Sequence, residues 1–505
     1  MWTRLVALMV VAAPAAAQEG PAPLSAIDWL SANPPTQAAP VTAPAAEDPV
    51  ADSAATPNVT VQPLDGDAPR RIGLVPSTVT GLPGTLWAAT DGAAVAQRMQ
   101  QLRVPRLPAA QALLYTLLLA ETDPPVTAPD RLTLARIDTL LRLGAVAPAL
   151  ELARQAGPQN DPDLFARFMD AALLAEAENE ACAILRGPAP PSTSYAPQIF
   201  CAARSGDWQT AALLIGTANA VGELTDAQAD LLARFLDPDL FEGEPPLPAP
   251  DPIDPLSARL LDAIGQPGAT SAWPRVYAHL DLRDVAGWKA QLDAAERLAE
   301  TGAIDANQLL GVFTARRAAA SGGIWDRVRA LQNLQTAVAT GSSEAIGKTV
   351  GAALEASIRG RMAVPVASIF GQDVLDAAPA GGQAAMTLAL LSPHYEAAAA
   401  RYPKVEAPLA RAVARGDTAQ IAANGPMETA VRNGFSDAAP DTNILNTAQN
   451  GGLGLAIIET LALLDQGTRG DATALSRALA TLRALGLEDI ARRAGLQILL
   501  LDRTG

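Results

Sequence analysis

Apolar residues recur every three or four positions over most of the chain from about residue 93 onward, which is the spacing that places them on one face of a helix. The clearest example is residues 131–144, in which Leu and Ile residues keep this spacing until Gly144 ends the helix. Residues 146–157 predict a short antiparallel return, and Asp161 is an N-cap for the next helix. No alternating run is long enough to build a sheet. The pattern therefore predicts an all-α protein of tandem antiparallel helix hairpins.

Two of these hairpins share a pattern of small residues. Each has a turn glycine, a small residue five positions later, and two apolar residues four and seven positions after that one. Weaker copies lie near residues 176–185 and 486–491, and the first three copies recur slightly below a 34-residue period. The residues of the two clear copies are Gly144, Ala149, Ala153 and Ala156, and then Gly206 with Asp207 and Trp208, Ala211, Ile215 and Ala218.

This pattern resembles the tetratricopeptide repeat family, in which a Gly-Asp-Tyr-like turn joins two helices and a small residue on the second helix permits close packing. The resemblance is clearest over residues 130–222 and looser over 470–500. It implies an α-solenoid. Glycine at the turn adopts a positive φ without strain, and alanine at the crossing lets two helix axes approach, so that each hairpin buries one face against the next.

The first residues of the chain predict export. Arg4 precedes an apolar run, and small residues up to Ala17 form a cleavage site, so residues 1–17 predict a signal peptide that is cleaved after Ala17. The apolar run is too short to span a bilayer, which takes about 20 residues. We therefore expect a periplasmic protein with no membrane span after cleavage.

Proline-rich segments divide the rest of the chain. Residues 58–87 form an extended stretch in which Val59, Val61, Leu64 and Trp87 are apolar. One interpretation is that this stretch packs along its own helical domain, and the other is that it binds a protein partner. The predicted regions are a Pro/Ala-rich disordered arm at 18–80, an N-terminal helical-repeat region at 88–240, a Pro/Asp linker at 241–255 and a C-terminal helical region at 256–505.

The net charge and the two cysteines indicate which partners are unfavourable and which covalent bond to expect. The formal net charge is −16, which makes nucleic acid and anionic lipid surfaces unfavourable partners. Two cysteines, Cys182 and Cys201, are present, and in an oxidising compartment we expect them to be bridged. Their spacing is not the Cys-x-x-Cys of redox-active pairs. A bridge would join two adjacent helices across a proline-rich connection.

The sequence contains no recognisable catalytic or cofactor motif. A histidine-based zinc site or triad would need His279 or His394, and both are better explained as ordinary helix or turn residues. Glu459, on a strongly apolar predicted helix, is a candidate general acid, but a solvent-facing role accounts for it more simply. The aspartates of residues 237–255 lack the rhythm of a calcium loop. We therefore assign no catalytic, cofactor-binding or metal-binding residue and expect no cofactor.

These observations lead to a functional hypothesis. We expect a non-enzymatic periplasmic helical-repeat protein that binds protein partners or organises an envelope assembly, through its groove or through residues 58–87. One alternative is an enzyme of the cell wall or of polysaccharide that uses carboxylates alone, which would require a pair of them to converge in a cleft with raised pKa. A second alternative, by analogy only, is an accessory of an envelope machine such as the flagellar motor. A third is a protein without a specific partner.

Overall fold

The computed structural model describes residues 71–377, 382–402 and 407–501. Every regular element within these ranges is helical, and extended pairing is limited there to isolated β-bridges, such as the one between Ile72 and Thr122. The predicted all-α class is therefore confirmed for this part of the chain. The predicted signal peptide and most of the predicted arm lie outside the described residues.

The first part of the fold alternates helices with short turns. Single 3-10 turns at Pro158–Asn160 and Pro238–Phe241 separate some of them. The helices are α1 (Ser77–Thr80), α2 (Gly92–Gln101), α3 (Pro108–Leu119), α4 (Pro129–Leu143), α5 (Val146–Ala156), α6 (Pro162–Leu174), α7 (Glu178–Leu185), α8 (Tyr195–Arg204), α9 (Trp208–Val221), α10 (Asp226–Leu236) and α11 (Pro255–Ala263).

The second part begins with two 3-10 segments, Thr270–Ala272 and Arg275–Leu282, and continues as helices to the end of the described residues. These helices are α12 (Trp288–Ala299), α13 (Ala306–Thr314), α14 (Ile324–Ala339), α15 (Ser343–Arg359), α16 (Ala363–Ala377), α17 (Gln383–Leu391), α18 (Tyr395–Arg401), α19 (Pro408–Arg415), α20 (Gly425–Phe435), α21 (Thr442–Gln449), α22 (Leu453–Thr468), α23 (Ala472–Ala484) and α24 (Glu488–Leu501).

Local chemistry explains where many of these helices begin. An aspartate side chain accepts hydrogen bonds from the free N–H groups of the first turn, and its negative charge interacts favourably with the positive end of the helix dipole. This cap lets a helix start abruptly after a short turn. The capping aspartates are Asp91, Asp161, Asp207, Asp254, Asp305, Asp441 and Asp471.

Helices α4 to α10 form consecutive hairpins, in which each helix contacts the next one along the chain. Gly144 and Gly206 both adopt left-handed φ values, of 86° and 82°, at the turns that join paired helices. Ala149 and Ala211 are fully buried where the helices cross. This part of the molecule has the local organisation that a helical-repeat class predicts.

The two ends of the helical region contact each other. The backbone N–H of Ala109, at the start of α3, donates a hydrogen bond of 2.9 Å to the side chain of Gln497 in α24. The N–H of Gly454 in α22 donates to the carbonyl of Leu86. In an open solenoid each repeat contacts only its neighbours. These long-range contacts mean that a simple linear stack is not confirmed for the whole region.

Residues 241–255 lie against the helices on both sides of them. Arg234 of α10 donates hydrogen bonds to the carbonyl of Pro245 and to the carboxylate of Glu244. Helix α11 then packs against α10 and α6. The division into two regions at this segment stays a prediction, since residues 68–505 cluster as one unit by their contacts.

Candidate functional site

The hairpin of α8 and α9 is anchored by a disulfide bond. Cys182 in α7 and Cys201 in α8 are bonded, with their Cα atoms 5.2 Å apart. Both side chains are buried. The connection between the two helices is rich in proline and has little regular structure, so the covalent bond fixes the position of α8 where the loop constrains it weakly.

A buried carboxylate adds a second anchor to the same hairpin. Glu178, at the start of α7, is 1% exposed, and its Oε1 lies 3.1 Å from both Arg204 and Arg259. Arg204 is at the end of α8, and Arg259 is in α11. One carboxylate therefore ties three helices together. Removing both arginines would leave the buried carboxylate of Glu178 without a partner, which is strongly destabilising.

The turn into α9 sets the direction of that helix. Gly206 adopts the left-handed conformation, and the side chain of Asp207 accepts a hydrogen bond of 3.0 Å from the N–H of Thr210. The hydrogen bonds from Thr210 lower the pKa of Asp207, so the cap stays ionised. Trp208 begins the helix with 52% of its surface exposed, which is more than a packing role in the repeat predicts.

Helix α9 leaves an apolar face in solvent. Its fourteen residues include no charged side chain, and of these residues Ala211 and Ala218 are the buried ones. Leu213 is 70% exposed and Val221 is 59% exposed. A helix that is apolar on all sides is normally buried in a core or an interface. We call the outward surface of α9 the α9 face: Trp208, Gln209, Ala212, Leu213, Gly216 and Ala220.

The chain path explains why this face is uncovered. In a repeat stack, α9 would be covered by the second helix of the following hairpin. After α10, however, the chain enters the 3-10 turn at Pro238–Phe241 and an extended segment. The next helix, α11, packs mainly against α6 and α10 instead. Among the described residues, the α9 face is therefore left without a covering helix.

The described part of the stretch 58–87 packs on its own helices. Trp87 is fully buried against Gly454, and a Cβ atom at Gly454 would lie 2.2 Å from the tryptophan ring. A partner cannot reach this side chain in the structure. Val59, Val61 and Leu64 lie outside the described residues.

A buried arginine holds the beginning of the described stretch in place. Arg136 donates hydrogen bonds to the carbonyls of Ile72, Leu118 and Ala120 at 3.0, 2.7 and 2.9 Å. Burial lowers its pKa to about 10. The guanidinium group thus caps the end of α3 and at the same time fixes the segment that enters the helical region. No sequence pattern indicated this role, because the acceptors belong to the backbone.

The two histidines have different surroundings. His279 donates from Nε2 to the carbonyl of Gly144 at 2.6 Å, and burial lowers its pKa, so it acts as a neutral donor between segments. His394 is exposed and lines an open cavity of about 480 Å³ together with Glu396, Glu488 and Arg492. In that cavity Arg492 is already paired with both carboxylates. The serine nearest to His394 in the chain, Ser392, is buried, and its Oγ accepts from the backbone N–H of His394 at 3.1 Å and donates to the carbonyl of Ala389, so this hydroxyl stabilises a turn.

Carboxylates were the remaining candidates for chemistry. Glu459 lines an open cavity of about 430 Å³ with Arg98, Gln97 and Gln101. Asp170 in α6 is different, since burial and the neighbouring carboxylate of Asp254 raise its pKa to about 7. Asp170 lies where α6 packs against α11, and it lines neither the cavity at His394 nor the cavity at Glu459. The carboxylates of Asp170 and Asp254 therefore influence each other, and Asp254 is also the N-cap of α11, where its side chain accepts hydrogen bonds from Ser257.

Two further features are absent from residues 71–377, 382–402 and 407–501. No group of three or more His, Cys, Asp or Glu residues in these ranges is arranged to hold a metal ion. None of the helices described there is both long and apolar enough to cross a membrane. The α9 face differs from an ordinary protein surface because its helix has no charged side chain and exposes large apolar ones.

Comparison with known proteins adds no family assignment. Neither a family model, nor a curated protein, nor a solved structure matches this chain significantly. The resemblance to tetratricopeptide repeats therefore rests on the turn and crossing residues of the hairpins alone.

Proposed function

We propose that this protein is a non-enzymatic, exported helical scaffold that acts in an envelope assembly by binding a helix of a protein partner along the α9 face. The observation that carries the proposal is the exposure of an uncharged, apolar helix face on a strongly acidic protein. Exposed apolar surface of this kind is typical of protein interaction sites. A partner helix laid along this face would remove its apolar side chains from water.

The chemistry of the face defines the partner. Leu213 and Trp208 each offer a large apolar surface, and fully burying a side chain of the size of leucine stabilises by about 1.5–3 kcal/mol. A charged side chain at the centre of the contact would lose its hydration without gaining an opposite charge. The expected partner segment is therefore a helix whose contact face is apolar and uncharged.

Two features support an exported location. The disulfide between Cys182 and Cys201 is of a kind that persists in oxidising compartments and is rare in the cytosol. The sequence pattern of residues 1–17 predicts a signal peptide. In the periplasm, the rigid hairpin that carries α9 would present its apolar face to other envelope proteins.

The test is site-specific photo-crosslinking in the native cell. A photoreactive phenylalanine derivative replaces Leu213, and in a matched control it replaces Val285, which is 82% exposed and lies far along the chain in a different segment. We expect a crosslink from position 213 to a protein, at a peptide that forms an apolar helix, and none from position 285. Absence of a crosslink at position 213, or equal labelling at both positions, would contradict the proposal.

A further inference from the structure

The chemistry of the helix that fits the α9 face can be specified further, and this inference rests on the proposed function. We infer that the partner helix is amphipathic and basic: its apolar residues contact the α9 face, and Lys or Arg residues beside them bind the carboxylates of Glu223, Asp226 and Asp230. Such a partner is selected by charge as well as by apolar contact.

The α9 face is too small to hold a partner by apolar contact alone. A helix of fourteen residues is about 21 Å long and about 10 Å wide with its side chains, so its outward face covers on the order of 200 Å². A standard specific interface buries about 800 Å² on each partner. The surface around α9 must therefore contribute to recognition.

The surface around α9 is strongly acidic. Residues 205–254 contain ten Asp or Glu residues and one basic residue, Arg234, whereas the whole chain contains 53 acidic and 37 basic residues. This local excess of negative charge attracts a positively charged segment before contact is made. Nine of the ten acidic residues are exposed, namely Asp207, Glu223, Asp226, Asp230, Asp237, Asp239, Glu242, Glu244 and Asp251.

The nearby arginines leave most of these carboxylates without an ion pair. Arg204, just before the stretch, lies 3.1 Å from the buried carboxylate of Glu178, and Arg234 lies 3.0 Å from Glu244. Within the part of the chain that the structure describes, the other eight exposed carboxylates have no ion-pair partner. They are therefore available to the cations of another protein.

Three of the eight border the α9 face on the side of α10. Glu223 comes two residues after Val221, the last residue of α9, so their Cα atoms are at most about 7 Å apart. Asp226 is the first residue of α10, which packs against α9. Asp230 lies one turn further along α10 on the same side, because residues four apart share a helix face. A helix on the α9 face would meet these carboxylates along one edge.

Binding of designed peptides to the purified, disulfide-bonded protein tests the inference. Three helical peptides of about 18 residues carry leucine at the same contact positions and Lys, Gln or Glu at the flanking positions. Fluorescence anisotropy of the labelled peptides gives their dissociation constants. We expect the lysine peptide to bind at least about tenfold more tightly than the glutamine peptide at about 50 mM salt, and the difference to shrink at about 500 mM because salt screens the attraction. Equal binding of these two peptides at low salt would overturn the inference.

A triple variant tests whether the charges act where they are placed. Replacing Glu223 by Gln and both Asp226 and Asp230 by Asn should raise the Kd of the lysine peptide about tenfold and leave that of the glutamine peptide unchanged. Circular dichroism checks that the variant is folded.

The matched control changes the net charge by the same amount at exposed carboxylates elsewhere. It combines Asp284→Asn, Asp373→Asn and Asp417→Asn, and we expect it to change the Kd of the lysine peptide less than twofold. Equal weakening by the two triple variants would show a general attraction to an acidic protein, and would also overturn the inference.

Leu213→Ser separates the inference from the proposed function. It should weaken the lysine and glutamine peptides alike, because both use the apolar contact. If these two peptides bind equally and Leu213→Ser weakens both, the inference fails and the proposed function stands. If neither peptide binds, or if Leu213→Ser leaves binding unchanged, both fail.

Discussion

Helices α9 and α22 are similar in composition and opposite in environment. Each contains nine Ala, Val, Ile, Leu or Trp residues, so apolar content alone would place both in a core. Helix α22 does lie in the core, where α2, α21 and α23 contact it and Trp87 covers its first turn. Helix α9 has α8 and α10 as its principal neighbours, and its outward face is in solvent.

The glycines of the two helices show what the difference means. In α22, Gly454 is buried and leaves just enough room for the ring of Trp87. In α9, Gly216 has open space above it. The same residue type is thus required by packing in one helix and is free of packing in the other. Burial depends on which distant segment reaches the helix, and the composition of the helix does not decide it.

The largest effect is expected where α22 meets Trp87. We predict that Gly454→Val destabilises the protein by about 4 kcal/mol, at or above the usual cost of overpacking, because its side chain would overlap a fully buried tryptophan ring that cannot move aside. Urea unfolding followed by tryptophan fluorescence measures the change. The matched control is Gly216→Ala, which should stabilise by up to about 1 kcal/mol, since alanine favours the helix and meets no neighbour. Equal changes in the free energy of unfolding for the two substitutions would contradict the conclusion that Gly454 is packed and Gly216 is not.

A smaller effect is expected at the disulfide that anchors the α8–α9 hairpin. We predict that replacing Cys182 and Cys201 together by alanine lowers the free energy of unfolding by about 3 kcal/mol, because the bond closes a loop with a sequence separation of 19 residues. Reduction of the natural protein with dithiothreitol should have the same effect and should leave the double variant unchanged. A loss below about 1 kcal/mol would show that the surrounding helix contacts suffice to hold α8.

The smallest of the three effects is the pH dependence that Asp170 gives to the free energy of unfolding. Its folded pKa is about 7 and its ordinary value is 3.8, because burial and then the carboxylate of Asp254 disfavour its charge. The folded state therefore holds the proton more tightly than the unfolded state, and the stability from this group is present below pH 3.8 and is lost as pH rises toward 7. Asp170→Asn removes that loss.

The measurement is the unfolding free energy of the natural protein and of Asp170→Asn at pH 5 and pH 8. We expect the variant to gain roughly 2.7 kcal/mol relative to the natural protein between the two values, since stability changes by about 1.4 kcal/mol per pH unit over the roughly two units between pH 5 and the folded pKa. Asp293→Asn provides the control, because Asp293 forms an exposed ion pair with Lys289 and is not among the charges that act on Asp170. A difference between natural protein and Asp170→Asn that does not depend on pH would contradict the assignment.

Sequence reasoning was most successful where the cause of a structure is local. The helix that ends at Gly144, the cap at Asp161 and the proximity of the two cysteines follow from backbone preference, side-chain hydrogen bonding and redox chemistry within a short stretch. It was least successful at Arg136, since two of the carbonyls that this residue binds are at the end of α3 and the third, that of Ile72, is 64 residues away in the chain. The exposure of Trp208 and Leu213 was missed for the same reason.

The sequence by itself determined the all-α class, the helix hairpins between α4 and α10 and the caps of many helices, because periodicity and capping act over a few residues. Only the tertiary structure decided that Trp87 packs on Gly454, that α3 meets α24, and that α9 is left without a covering helix. These outcomes depend on contacts between residues far apart in the chain. Local sequence patterns do not indicate which distant segment packs against a given helix.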